Sequence, residues 1–274
     1  MKKENSLVPF LLKIALALVL GFAAIVVSGL LYKHIPIRPY FPFIAEALLI
    51  GITVWLYGKE RQKLFPLGLT PTAKNLGFLF LGLLIGVVAM LSVSWLRTCY
   101  TGEEWQVSTA IDVGALGKSL YYILPTVMVQ ELMFRGYLFT KTINRFGVVW
   151  SNVIFAFIFM LVHVLDSNVL QQPVQALFLS ITIPVGHLWF ATALLRSRTL
   201  LFPIGLHWGN NWAVQHLVGK SDNSQTLFFL TGEPLYTTWL PFVILLLIFN
   251  FFFLLVALAT WKWRWSFRAK PTAG

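Results

Sequence analysis

The feature that most constrains this chain is a succession of about eight apolar stretches, each near the roughly 20 residues a helix needs to cross a bilayer. They run over Val8–Leu31, Phe41–Tyr57, Leu76–Leu96, Lys118–Phe139, Val148–Leu165, Leu170–Leu195, Leu200–Val218 and Thr237–Trp261. Inside hydrocarbon every backbone polar group must find an internal partner, which leaves helices and closed barrels. No strand pattern is long enough for a barrel. The expected fold is therefore all-α: a polytopic integral membrane protein with about eight transmembrane helices. Composition points the same way. Of 274 residues, 58% are hydrophobic and 11% charged, whereas a soluble domain averages about 45–50% and about 25%. A soluble globular enzyme, a disordered regulator and a secreted disulfide scaffold are excluded. The single cysteine, Cys99, rules out an intramolecular disulfide and any multi-cysteine metal site.

The formal charge of +11 reads as loop charge facing anionic lipid headgroups, not as a nucleic-acid patch. With the N-terminus inside, the inside segments hold Lys2 and Lys3, the group Lys59–Lys74, Arg135 with Lys141 and Arg145, Arg196 with Arg198, and the group Lys262–Lys270. The outside segments hold only Lys33, Arg38, Arg97, Lys118 and Lys220. This bias places both termini in the cytoplasm. The first stretch follows Lys2 and Lys3 and is too long for a cleaved signal core, so it reads as an uncleaved signal anchor. The tail from Trp261 to Trp265 reads as an interfacial anchor. Gly82 and Gly86 form a GxxxG, a spacing that lets helices pack closely although it is common by chance. Gly205 and Gly209 would likewise let another chain approach.

Ionisable groups inside a span are costly and are functional candidates by default. Glu131 and Arg135 are four apart and share a helix face, with Gln130 one step round from Glu131. Their plain structural reading is an ion pair that neutralises an awkward carboxylate. His163 ends an apolar run beginning at Phe159. His207 and Asn211 are again four apart, and Gln215 continues the stripe, offering an imidazole and two amides on one face. Taken singly, His163 fits a core histidine and the His207 stripe fits a polar seam between helices. Lys13 and Glu46 are not expected to pair. His187, after Pro184 and Gly186, reads as a packing residue beside a helix break. Together, the motifs at Glu131, His163 and His207 supply a base, an orienting group and oxyanion donors, the inventory of amide hydrolysis.

At these residues the chain resembles the CPBP family, the CaaX-protease and bacteriocin-processing (Abi-type) group of intramembrane endopeptidases. The family pattern is Glu-Glu-x-x-x-Arg, then Phe-x-x-x-His, then His-x-x-x-Asn/Asp. Here it stands as Gln130-Glu131-x-x-x-Arg135, Phe159-x-x-x-His163 and His207-x-x-x-Asn211. Flanking segments, Phe134–Leu138 and Leu200–His207, match as well. The resemblance covers roughly residues 118–218 and implies a four-helix catalytic core. On this division, residues 1–117 are N-terminal transmembrane helices and 219–274 a last helix with a basic aromatic tail.

The resemblance implies that the residue at position 130 and His163 activate water, that His207 and Asn211 stabilise the oxyanion, and that Glu131 and Arg135, with Phe159, support the site. The departure is Gln130, where the family has its first glutamate. An amide cannot take a proton at physiological pH. Either Glu131 swings in as base, or a histidine is the base and Gln130 only positions the water; the rival reading is a catalytically inactive homologue that binds peptides or serves as a scaffold. The cofactor is either none or a divalent metal, zinc held by Glu131, His163 and His207; no HExxH is present, and these ligands come from three helices. The implied substrate is a prenylated, leader-bearing or membrane-embedded protein; the other partner is the lipid bilayer. The implied location is the cell membrane, if the chain is bacterial. One geometric difficulty stands: on straight helices His163 would sit around 10 Å too far out, at about 1.5 Å rise per residue.

Overall fold

The computed structural model describes residues 7–60, 67–219, 226–232 and 239–262. The basic positions Lys2, Lys3, Arg61, Lys63, Lys220, Arg264, Arg268 and Lys270, and tail residues 263–265, lie outside the described residues. The described chain is helical almost throughout: α1 (Leu7–His34), α2 (Ile44–Lys59), α3 (Ala73–Thr101), α4 (Val113–Arg135), α5 (Tyr137–Val164), a one-turn α6 (Ser167–Leu170), α7 (Pro173–Ser197), α8 (Leu201–Trp212) and α9 (Trp239–Lys262). A small sheet joins β1 (Glu104–Val107), β3 (Phe228–Thr231) and β2 (Val218–Gly219) in the order β1-β3-β2, antiparallel then parallel. Its strands, of two to four residues, are too short for their pattern to be read in the sequence.

The described parts of the apolar stretches lie largely on helices, and the count of eight crossings is not reached by length and composition. Among the described residues, five helical runs are long and apolar enough to span a bilayer: α1, α3, the run Val113–Val164, α7 and α9. The run Val113–Val164 contains two of the expected spans, α4 and α5. α2 has 16 residues and α8 has 12, both short of the roughly 20 a crossing needs.

The junction of α4 and α5 departs most from expectation. The fourth stretch does not end at Phe139. The helix breaks at Gly136 and resumes at Tyr137. The reversal comes at Gly147, whose φ of 80° is a left-handed conformation that only glycine adopts without strain. Ring contacts prove the reversal. Phe139 meets Phe155 at 5.3 Å and Phe134 meets Phe159 at 5.0 Å. Phe139 and Phe155 are equally far from Gly147 along the chain, and so are Arg135 and Phe159. The two arms are therefore an antiparallel hairpin in register about Gly147. Phe146 beside this turn packs on Phe10 at the start of α1, at 5.5 Å. Glu131 and His163 are likewise equidistant from Gly147, so they stand at the same height, which removes the geometric difficulty.

Where α7 meets α8, the chain is pinned to the loop after α2 by hydrogen bonds from Leu200 N to the Leu67 carbonyl (2.7 Å) and from the Thr199 hydroxyl to the Gly68 carbonyl (2.8 Å). At this end Glu60 accepts from Lys141 and from the Tyr137 hydroxyl (2.9 Å) and pairs with Lys13 at 3.4 Å. Lys13 thus pairs with Glu60, a partner the sequence did not suggest. Burial pushes the Glu60 carboxyl up, but the hydrogen bonds from Lys141 and Tyr137 and the charges of Lys141 and Lys13 outweigh it and hold the group below its ordinary value.

α8 lies parallel to α3 with almost no side-chain layer between them. A Cβ built on Gly82 or Gly86 would fall within 3.0 Å of the α8 backbone at Phe202, Leu206 or Asn210. A Cβ on Gly205 or Gly209 would do the same to α3 at Leu79, Leu83 or Val87. The two GxxxG motifs face each other within one chain. Gly205 and Gly209 each lie two positions from His207, about 200° round the helix at about 100° per residue. The clasp therefore turns His207 away from α3.

Two tests follow. Gly209→Ala overpacks a backbone–backbone contact and lowers the thermal unfolding midpoint by the equivalent of about 1–3 kcal/mol; Gly77→Ala, on the same α3 with nothing within 4 Å of its Cβ position, leaves the midpoint unchanged or higher. For Glu60, whose carboxyl is held low when folded, the ion-pair contribution is complete above the ordinary carboxylate pKa. It drains as pH falls from there through the depressed folded value. Glu60→Gln should flatten that acid limb of the stability–pH curve and leave the neutral region with a constant offset.

Candidate active site

Glu131 is the centre of the cluster and is fully buried. Its Oε1 accepts from Arg135 Nη1 at 3.0 Å, one turn along α4, and from His207 Nδ1 of α8 at 2.8 Å. The first contact is the intrahelical ion pair expected from the sequence. The second was not expected as a direct bond. A carboxylate without water must be paired and hydrogen-bonded to remain ionised, and Glu131 has one cation and one imidazole for that purpose.

Aromatic rings fix the groups around it. The Arg135 guanidinium carbon lies 4.1 Å from the Phe159 ring centre and 5.2 Å from that of Phe190 on α7, a cation held by two quadrupoles. Phe190 also stacks on the His207 ring, 4.7 Å apart and 16° from parallel. Phe159 touches the His207 ring edge-on at 6.3 Å and the His163 ring at 4.5 Å. Phe159 is thus the hub joining the motifs of α4, α5 and α8. Phe190 was missed in the sequence reading; one more phenylalanine in an apolar helix carries no signal of its own.

His163 is half-buried, and its Nδ1 lies 2.7 Å from the Phe159 carbonyl. A carbonyl only accepts, so Nδ1 carries the proton and the neutral ring leaves its lone pair on Nε2. Gln130 is half-buried with its Oε1 buried and unpartnered. Asn211 is half-buried on the His207 face of α8. Gln215 does not continue the stripe. The helix loosens into a π-turn at Ala213–Leu217, where a wider turn breaks the four-residue alignment, and Gln215 is exposed. α7 passes through Pro184 without a break, and His187 is wholly buried within it.

The structure thus brings Glu131, Arg135, Phe159, His163 and His207 into one contiguous cluster, and places Gln130 and Asn211 next to it on α4 and α8. Among the described residues no group of three or more His, Cys, Asp or Glu side chains is disposed to hold a metal ion. Glu131 Oε1 is engaged by Arg135 and His207 while its Oε2 is buried without a hydrogen-bond partner, and the His163 Nδ1 is engaged by a carbonyl.

Removing one member of a buried ion pair strands the other. Arg135→Met should cost about 3–5 kcal/mol of stability. The double variant Arg135→Met/Glu131→Leu should recover part of it, measured by denaturant unfolding in detergent.

Residues 112–213 match the model of the Rce1-like family, type II CAAX prenyl endopeptidases. No curated protein and no solved structure matches the chain. The matched segment opens at the N-cap of α4 and closes at the end of α8, so it contains all three motifs and the helices that hold them. Over residues 112–213 the chain is thus similar to the CPBP, or CAAX-protease, family.

Proposed function

We propose that this protein is an intramembrane endopeptidase that hydrolyses a peptide bond by activated water, without a metal, with His163 as base. The single observation that carries this reading is the His163 Nδ1 contact to the Phe159 carbonyl, which leaves Nε2 free to take a proton. The alternative base, Glu131, is fully buried with Oε1 held by Arg135 and His207; its Oε2 is unpartnered, but swinging the carboxylate out to reach a water would abandon both Oε1 bonds.

The proposed step runs as follows. A water aligned by the Gln130 amide gives its proton to His163 Nε2 as its oxygen bonds to the substrate carbonyl carbon. The carbonyl electrons move onto oxygen, and the oxyanion is met by His207 Nε2–H and the Asn211 amide. His207 can donate from both nitrogens only as imidazolium, and Glu131 is the counter-ion that supports this form. Collapse of the intermediate breaks the carbon–nitrogen bond, and His163 returns its proton to the leaving amine. Gln130 holds the water but takes no proton. Substrates fitting this site are prenylated, leader-bearing or membrane-embedded proteins. The basic end of the helices, at Lys59, Lys141 and Arg196, is the cytoplasmic face in this reading.

The same Gln130 favours one rival, a disarmed homologue that binds peptide without cleaving it. The two are separated by a cleavage assay in lipid vesicles with prenylated and unprenylated peptides. The proposal expects native cleavage, lost with His207→Ala. A silent native chain that becomes active with Gln130→Glu establishes the disarmed form instead.

A further inference from the structure

His187 belongs to none of the motifs, yet it lies against them. Its ring is wholly buried on α7, edge-on to Phe139 at 5.7 Å and tilted against Phe159 at 6.3 Å. Neither ring nitrogen has a hydrogen-bond partner. An orphaned buried polar group costs about 1–3 kcal/mol, so packing alone does not account for a histidine here. Leucine or phenylalanine would fill the same apolar space without that cost.

Arg135 has the complementary defect. Its Nη1 is committed to Glu131, while Nε and Nη2 are buried without partners. These two nitrogens form the edge of the guanidinium that ordinarily makes paired bonds. Arg135 rests on Phe159, the ring that His187 also touches, and against Phe190, which follows His187 by three residues on the same face of α7. One apolar pocket therefore holds donors without an acceptor and an imidazole lone pair without a donor.

We infer that His187 is a positioning residue: its neutral ring accepts a hydrogen bond from the Nε/Nη2 edge of Arg135, and through Arg135 it holds Glu131 and the Nδ1–H of His207 in place. It acts on the site described above, and its test is spectroscopic, so that failure of the hydrolase reading leaves it standing or falling on its own.

The test is nitrogen NMR of the full chain in lipid bilayers with 15N-labelled histidine, assigned through single-histidine variants. In the native protein, the non-protonated nitrogen of His187 should carry the shift of a hydrogen-bond acceptor, and Arg135→Lys should move it. His187→Leu should convert His207 from a single environment to a mixture, and His187→Gln, which retains an acceptor, should restore the single environment. A free-imidazole shift for His187 in the native protein overturns the inference. So does a His207 spectrum unchanged by His187→Leu in folded protein. If His187→Leu does not fold, the native His187 shift and its response to Arg135→Lys decide alone.

Discussion

The site depends on one carboxylate that has no water to rely on. Glu131 is fully buried, and the bonds from Arg135 and His207 are what allow it to remain charged. Everything near it serves that requirement. Two aromatic rings hold the guanidinium, one of them stacks on the imidazole, and α8 is clasped to α3 so that His207 faces inward. Such an ion pair is not in itself a large source of stability, because desolvation offsets much of the Coulomb attraction. Its value is geometric. It fixes which nitrogen of His207 points at the carboxylate, and therefore which one is left for other work.

Two glycine devices deliver the motifs to that carboxylate. At Gly147 the chain reverses in a left-handed conformation, setting α4 and α5 side by side with Arg135 opposite Phe159 and Glu131 level with His163. At the α3–α8 contact, four glycines remove the side-chain layer and bring α8 to the depth where His207 meets Glu131. In lipid there is little hydrophobic gain from burying one apolar helix against another, so such close backbone approach is a principal means of fixing helix position.

Much of this was legible in the sequence. The apolar stretches located the helices, and the four-residue spacing of Glu131 and Arg135 announced their ion pair. The three motifs named the residues that cluster. Other features were hidden for physical reasons. Hydropathy reports that a segment is apolar, not where a helix reverses, so the continuation of the fourth helix past Gly136 to Gly147 could not be read from it. A GxxxG has no address: Gly82 with Gly86, and Gly205 with Gly209, each signal close packing without naming the other. The His207 stripe looked longer than it is, because nothing in Ala213–Leu217 marks the π-turn that rotates Gln215 outward. His187 looked like packing because a single buried histidine reveals its neighbours only in three dimensions.

The account rests on His163, not Glu131, as the group that takes the proton from water. Single-turnover cleavage of a bound peptide by His163→Ala in lipid vesicles tests this most directly. The account predicts that peptide still binds while the cleavage rate falls by about 10²–10⁴-fold, the usual contribution of a general base. Cleavage at the native rate by His163→Ala would contradict it.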